Sequence, residues 1–208
     1  MNWRTFECDF CPQLAATRTQ VVVATPCRQG GLLVIGEAPG NDEDTNGIGF
    51  VGAAGKALRT LLHEENLSSP DYGVANICRC RPCDSQGKNR PPTAAEVGHC
   101  LPYLGSLIRA VRPKVILAVG SDTAANEIFG FKGVEEQISF GREKGWKADE
   151  ICKGSPEAIR ESLQFVSYIV PMPHTSPVNS RKAHKVIAKK QVQIAVELLR
   201  LKGKKRAR

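Results

Sequence analysis

The chain has 208 residues and a formal net charge of +8, from 29 Lys and Arg against 21 Asp and Glu. Its 41% apolar and 24% charged residues can form a buried core, which excludes a wholly disordered protein. No run of eighteen apolar residues and no charged-then-apolar leader occurs, so we expect a soluble, cytoplasmic protein with no membrane partner. We also expect a monomer. Its eight cysteines then favour metal binding or buried thiols over disulfides.

Strand and helix patterns alternate along the chain. Apolar, β-branched runs predict buried strands at 20–24, 32–36, 115–120 and 165–172, with a weaker one at 72–78. Helical patterns occupy 53–66, 91–111, 121–129 and 182–201. Thr93 and Glu96 have the spacing of a capping box. This alternation predicts a three-layer α/β/α sandwich with a central, mostly parallel sheet of about four strands. We expect one domain over residues 1–201 and a basic tail at 202–208.

Residues 34–52 form an acidic, glycine-rich segment. Four carboxylates and five glycines lie in it, with no Lys or Arg. It lacks the spacer and hydroxyl residue of a phosphate loop, and it follows the carboxyl end of a predicted strand, where α/β proteins bind ligands. The composition is typical either of a pocket for a neutral planar ligand or of a solvated surface loop. Phe50 among the glycines favours the pocket, with its ring as a stacking platform.

Two sets of cysteines have the spacing of a four-thiolate site, and both include Cys8, Cys11 and Cys80. With Cys83 they form two CxxC pairs, which are typical of structural zinc. With Cys100 they suit an iron–sulfur cluster instead. Spacing alone favours zinc. Two other cysteines have no partner at ligand spacing and are expected to be ordinary thiols: Cys27 and Cys152.

The C-terminal part of the chain carries a histidine motif and most of the positive charge. His174, in "PMPHTSPVNSRKAHK", follows an apolar strand, where sites form. Residues 181–208 contain eleven Lys and Arg against one acid, Glu197. Clustered cations gain from counterion release on a polyanion, so this region predicts a phosphate-binding surface. A merely solubilising tail is the alternative.

Together these segments resemble the family-four uracil-DNA glycosylases, iron–sulfur members of the uracil-DNA glycosylase superfamily. The resemblance runs in order through "CDFCPQLAATRTQVV", "GEAPGNDEDTNGIGFVGAAGKALRTLL", "VANICRCRP", "NRPPTAAEVGHCLPYL", "RPKVILAVG" and "PHTSPVN". It implies a structural 4Fe–4S cluster held by Cys8, Cys11, Cys80 and Cys100. The chain departs from the family pattern in an apparent insertion, "CDSQGK", and in Thr175, where superfamily members commonly place Pro.

The resemblance implies a DNA repair enzyme that hydrolyses the N-glycosidic bond of uracil in single- or double-stranded DNA and leaves an abasic site. The implied uracil-binding residues are Glu37, Ala38, Pro39, Glu43, Phe50, Asn76 and His174. Phe50 would stack on the flipped base, Asn76 would read its polar edge, and Glu43 would exclude the methyl group of thymine.

The implied catalytic residues are His174, which would donate a hydrogen bond to uracil O2, and a carboxylate near the sugar. Glu37 is the first candidate for that carboxylate and Asp44 the second. Arg181 and Lys182 would contact DNA phosphates. An inactive iron–sulfur nucleic-acid-binding protein of the same fold is the alternative function. A relative that bonds covalently to uracil DNA would carry an extra basic loop, which the sequence between residues 50 and 58 lacks.

Overall fold

The computed structural model describes residues 4, 7–120, 128–129, 146–151, 155–175 and 182–201. In this part of the chain the strands are β1 Leu32–Gly36, β2 Tyr72–Asn76, β3 Val115–Val119, β4 Trp146–Lys147 and β5 Tyr168–Met172. They form one sheet in the order β2-β1-β3-β5-β4. The four longer strands are parallel, and the two-residue β4 pairs antiparallel with β5. The predicted mostly parallel sheet is therefore confirmed, with β4 as an additional short strand.

Helices follow the strands on both faces of the sheet. Their bounds are α1 Pro12–Thr17, α2 Asn41–Asn46, α3 Ala53–Glu64, α4 Ala94–Val111, α5 Ala148–Ile151, α6 Glu157–Leu163 and α7 Lys182–Arg200. The three long predicted helices correspond to α3, α4 and α7. The helix predicted at 121–129 lies largely outside the described residues. None of the described helices is long and apolar enough to cross a membrane.

Alternate residues of the strands point into two separate cores. Leu33 and Ile35 of β1 pack in one core with side chains of α4 and α6. Leu32 and Val34 pack in the other with side chains of α3 and α7. Because helices cover both faces, the strands need apolar residues at every position, which explains their unbroken hydrophobic runs. This arrangement confirms the three-layer α/β/α sandwich.

The strand predicted at 20–24 is wrong. Within this run only Val23 forms a bridge, with Ile48, and the segment meets the sheet only beyond the run, where Thr25 bridges Val74 of β2. Val21 is nevertheless buried, in a small cluster with Cys80 rather than in the main cores. The hydrophobicity of this run therefore reflects burial against the cysteine region and not strand pairing.

The capping box predicted at the start of α4 is confirmed. The backbone N–H of Glu96 donates to Thr93 Oγ1 at 3.2 Å, and the N–H of Thr93 donates to Glu96 Oε2 at 2.7 Å. The buried Glu96 carboxylate also accepts two bonds from the Arg90 guanidinium, at 2.9 and 2.7 Å. These bonds lower the pKa of Glu96, with the Arg90 contact as the largest cause. They tie the loop before α4 to the helix.

Glu96→Gln is expected to lower the free energy of unfolding by about 1–3 kcal/mol at neutral pH. The substitution replaces the charge-assisted hydrogen bonds of the carboxylate with weaker bonds to a neutral amide. The pKa of Glu96 is lower in the folded than in the unfolded state. Its stabilisation is therefore present above the ordinary glutamate pKa and is lost as pH falls through the lowered value. Denaturant unfolding should show a smaller difference from wild type at about pH 3 than at about pH 7.

The matched control is Glu157→Gln, because Glu157 lies exposed in the first turn of α6. It should change the unfolding free energy little at either pH. An equal effect of Glu96→Gln at both pH values would contradict the ionic role of Glu96.

Candidate active site

A cavity of about 550 Å³ lies at the carboxyl ends of the parallel strands. Its lining includes Gly36 at the end of β1, Asn76 at the end of β2, Val119 at the end of β3 and His174 just after β5. Parallel strands place their carboxyl ends at one edge of the sheet, so segments distant in sequence meet there.

The sequence-predicted uracil-binding residues come together in this cavity. All seven line it: Glu37, Ala38, Pro39, Glu43, Phe50, Asn76 and His174. The structure thus gathers them around a single space, whereas their individual roles stay predictions. The volume lies within the range of small-molecule sites.

Phe50 has an unusual backbone conformation that other residues hold in place. Its φ angle is +60°, in the left-handed region that bulky residues rarely adopt. Arg59 of α3 donates to the carbonyl oxygens of Phe50 at 3.2 Å and Gly49 at 3.3 Å, and to the Tyr72 hydroxyl at 3.1 Å. Arg59 therefore fixes the turn that presents the Phe50 ring. Sequence reasoning missed this role, because one Arg on an amphipathic helix normally indicates a solvent-facing position.

Two glycines leave the space that Phe50 occupies. A Cβ atom on Gly36 would lie 2.7 Å from Phe50 Cζ and 2.7 Å from Asn76 Oδ1. A Cβ atom on Gly55 would lie only 2.0 Å from the Phe50 carbonyl oxygen. The Phe50 ring and the Asn76 amide approach Gly36 closely, and the Phe50 backbone approaches Gly55 closely, so both positions require glycine.

Glu43 joins two segments of the cavity wall. Its Oε2 accepts from the N–H of Gly40 at 3.1 Å, and its Oε1 accepts from the N–H of Gly52 at 2.8 Å. The first bond lies at the start of α2 and the second just before α3. Both carboxylate oxygens of Glu43 are thus engaged by backbone groups, which hold the side chain in one position.

Asp44, the second predicted catalytic carboxylate, does not line the cavity. Its side chain is only 3% exposed. Both of its carboxylate oxygens accept from the N–H of Thr19, at 3.1 and 2.9 Å. The structure therefore separates Asp44 from Glu37 and gives it a contact with the N-terminal region of the chain.

His174 lines the cavity and is partly exposed to solvent. Desolvation by the surrounding protein lowers the pKa of its imidazole, and the carboxylate of Glu43 partly offsets this. A lowered pKa favours neutral imidazole at neutral pH, which can donate one N–H and accept at the other nitrogen.

The loop between β2 and α4 forms a cavity wall that sequence reasoning missed. Its contributions are Pro82, Asn89, Arg90 and Pro91. The apparent insertion lies inside this loop as a hairpin closed by a bridge between Cys83 and Asn89. Arg81 donates to Asn89 Oδ1 at 2.6 Å, which fixes the Asn89 amide beside the cavity. The one sequence signal for this wall is that the loop directly follows the carboxyl end of β2, where α/β proteins bind ligands.

The predicted phosphate-binding residues cannot be compared with this geometry. Arg181 and the tail at 202–208 lie outside the described residues. The backbone of Lys182 begins α7, but its side chain also lies outside them.

Three of the four predicted metal-binding thiols form one small cluster. Cys80 is buried with Leu14, and Cys8 and Cys11 pack against the same group. Arg18 donates to Cys80 Sγ at 3.3 Å. The cluster does not include Cys83, which lies in the hairpin instead.

Cys100, the fourth predicted ligand, lies within electrostatic reach of this cluster. Burial raises the pKa of Cys11 to about 11, and Cys100, Cys8 and Cys80 add to the effect. A hydrogen bond from Cys78 lowers the pKa of Cys100 to about 7. Among the described residues, no three Cys, His, Asp or Glu side chains already have the geometry to hold a metal ion. The thiols therefore lie near one another, but the described side chains do not have the geometry of a metal site.

Comparison with known proteins identifies the family. The family model of the uracil DNA glycosylase superfamily matches residues 24–200. The chain belongs to the uracil DNA glycosylase superfamily. The match spans every strand that the structure describes and all the residues that line the cavity.

Curated relatives of this superfamily member are type-4 uracil-DNA glycosylases. The Archaeoglobus fulgidus protein is 39% identical over 129 residues, which cover 62% of this chain and 60% of the relative. The Thermotoga maritima protein is 36% identical over 129 residues, 62% of this chain and 65% of the relative. The Pyrobaculum aerophilum protein is 38% identical over 125 residues, 59% of this chain and 61% of the relative. The matched part therefore spans less than two thirds of each relative. The similarity to family four is confirmed.

Arg59→Leu is expected to lower the free energy of unfolding of this superfamily member by about 1–3 kcal/mol, because the carbonyls of Gly49 and Phe50 lose a charged donor. Denaturant unfolding measures the change. Arg109→Leu is the control, since Arg109 lies exposed on α4 and should contribute little. Equal losses in the two variants would show that Arg59 does not hold the Phe50 turn.

Proposed function

We propose that this protein excises uracil from DNA by hydrolysing the N-glycosidic bond and leaves an abasic site. The observation that carries the proposal is the cavity at the strand ends, where Glu37, Phe50, Asn76 and His174 line one space. Membership of the uracil DNA glycosylase superfamily and the type-4 uracil-DNA glycosylases among its relatives support it. The substrate would be a uracil nucleotide turned out of the base stack, in single- or double-stranded DNA.

Asn76 and Phe50 would recognise the base. The Asn76 amide can donate to uracil O4 and accept from N3–H. Cytosine reverses both polarities, so it would leave buried polar groups unpaired, which is costly. The Phe50 ring, packed against Gly36, offers a planar face on which the base can stack.

Glu43 would exclude thymine by shape. The bonds from Gly40 and Gly52 hold its carboxylate in the cavity wall. A side chain held from both sides cannot move aside for the C5 methyl group at low cost. Discrimination by one methyl group is worth about 10- to 200-fold on steric grounds.

Glu37 and His174 would carry the chemistry. Breaking the glycosidic bond produces an oxocarbenium-like sugar and a uracil anion. His174 would donate a hydrogen bond to O2 of the departing base, and its lowered pKa suits a neutral donor. Glu37 would stabilise the positive sugar and orient the attacking water. We assign this role to Glu37 rather than Asp44, because Thr19 engages the buried carboxylate of Asp44. Arg181 and Lys182 would contact the phosphates.

The inactive alternative is not favoured. A binding protein that had lost activity would have no need to keep a carboxylate, a histidine and a base-reading amide around one cavity. Glu37, Asn76 and His174 are all present and line the same space.

An excision assay on uracil-containing oligonucleotides, single- and double-stranded, tests the proposal. Wild-type protein should release uracil. Asn76→Asp should lower the single-turnover rate by about 10- to 100-fold, because uracil O4 loses its donor at a cost of about 1–3 kcal/mol. The carboxyl group that this substitution introduces presents, when protonated, the polarity that cytosine needs, so release of cytosine should rise above the wild-type level.

The control for this substitution is Asn66→Asp, which makes the same chemical change at a residue outside the cavity lining. Asn66 lies just beyond the C-terminal end of α3. It should leave uracil release unchanged. Full activity of Asn76→Asp would remove Asn76 from base recognition, and no release by the wild-type protein would overturn the proposed function.

We also propose that Cys8, Cys11, Cys80 and Cys100 hold a 4Fe–4S cluster, as the family resemblance implies. The clustering of the first three thiols, the electrostatic proximity of Cys100 and the soft thiolate chemistry of the donor set support this. When bound, the cluster would cross-link the N-terminal segment to the loop after β2 and to α4, and it would take no part in hydrolysis. Cys27 is buried instead in the core that β1 forms with α4 and α6.

Purified protein should be brown, with a broad visible absorption band and about four irons per chain. Cys80→Ala and Cys100→Ala should lose both, whereas the matched control Cys27→Ala should keep them. Iron analysis and an anaerobic visible spectrum provide the measurement. Colourless protein with stoichiometric zinc that Cys100→Ala retains would favour a zinc site instead.

A further inference from the structure

The residue after His174 forms a hydrogen bond with a distant part of the chain. The Thr175 hydroxyl donates to the backbone carbonyl of Ala54 at 2.8 Å. Ala54 lies in the first turn of α3 and lines the cavity. The bond joins positions 121 residues apart in the sequence, so it links the segment after β5 directly to the first turn of α3, which also lines the cavity.

His174 is restrained on both sides by this arrangement. On the strand side, the N–H of Gly120 donates to the carbonyl of Met172 at 2.9 Å and fixes the end of β5. Pro173 follows, and its ring fixes its own φ angle. On the other side, Thr175 is half-buried and bonded to Ala54. The histidine is thus the centre of a short segment with a fixed point at each end.

The partner of this bond belongs to the same wall as the Phe50 turn. Gly55 packs directly against the Phe50 carbonyl, and Gly52 donates to Glu43. The Thr175 hydroxyl therefore fixes the His174 segment relative to the platform on which the base would stack. The distance between donor and base is the quantity on which leaving-group stabilisation depends.

We propose that Thr175 is a positioning residue for His174: its hydroxyl holds the histidine segment against the first turn of α3 and sets the reach of the imidazole into the cavity. Proline at this position would restrain the backbone through its fixed φ angle. Thr175 restrains it through a hydrogen bond to Ala54 instead. This inference rests on the proposed function for its catalytic consequence, but not for the tether itself.

Thr175→Val removes the donor and keeps the shape of the side chain. Single-turnover excision at saturating protein should fall about tenfold, a part of the roughly 10²- to 10³-fold that one preorganised donor is worth. The dissociation constant for uracil-containing DNA should stay unchanged. Thr175→Ser keeps the hydroxyl and should retain most of the rate. A wild-type rate in Thr175→Val would overturn the proposal.

Thr60→Val is the matched control. The Thr60 hydroxyl donates to the carbonyl of Lys56 at 3.1 Å, so it forms the same type of bond within the same helix. It lies outside the cavity lining. This variant should excise uracil at the wild-type rate, and a loss as large as that of Thr175→Val would contradict a specific role for the tether.

A double substitution separates positioning from general destabilisation. If Thr175 acts through His174, Thr175→Val should lower the rate no further once His174→Ala has removed the imidazole. If Thr175 only supports the fold, its effect should persist in the His174→Ala protein. A further loss of about tenfold there would overturn the proposal.

Hydrogen–deuterium exchange tests the tether without any catalytic readout. The backbone amides of Met172, His174 and Thr175 should exchange faster in Thr175→Val than in wild type, Thr175→Ser or Thr60→Val. Unchanged exchange would overturn the tether even in an active enzyme. If the wild-type protein released no uracil but Thr175→Val still accelerated this exchange, the proposed function would fail and the tether would stand.

Discussion

The site depends on hydrogen bonds that converge on the short connection between Phe50 and the first turn of α3. Glu43 holds it from α2 through Gly52, and Thr175 holds it from the end of β5 through Ala54. Arg59 reaches back from α3 to the Phe50 carbonyl. The left-handed backbone of Phe50 is costly and persists only where neighbours restrain it. These contacts supply that restraint, so the same bonds stabilise the turn and orient the cavity walls.

The acidic segment in a basic protein has a structural explanation as well as a chemical one. Asp44 accepts from Thr19, and Glu43 accepts from Gly40 and Gly52. Hydrogen bonds from backbone N–H groups to a carboxylate are charge-assisted and therefore stronger than those between neutral groups. Two of the four acids therefore fix the loop itself. The other two, Glu37 and Asp42, line the cavity, and Glu37 is the one proposed to act in the reaction. Absence of Lys and Arg from the segment avoids ion pairs that would compete for these carboxylates.

The sheet could be predicted from sequence because strands that are buried on both faces are apolar at every position. The long helices could be predicted from their helical spacing of apolar residues. The rule for strands failed at residues 20–24, since Val21 is buried against Cys80 without pairing in the sheet. The cavity residues from the motifs were found, but Asn89 and Arg59 were not. Their roles come from tertiary contacts with Arg81 and the Phe50 turn, and such contacts leave no periodic signal in the chain.

The end of β2 connects Asn76, the residue proposed to read the base, with the thiol cluster. Asn76 lines the cavity, and Cys80 lies in the cluster four residues later. Between them, the N–H groups of Ile77 and Cys78 donate to the carbonyls of Gly36 and Glu37, both at 2.9 Å. Cys78 also bonds to Cys100 on α4. Any cross-link that holds Cys80 and Cys100 together therefore restrains the backbone that carries Asn76 and the adjoining backbone of Glu37. A cluster with no part in hydrolysis would in this way contribute to the precision of the site.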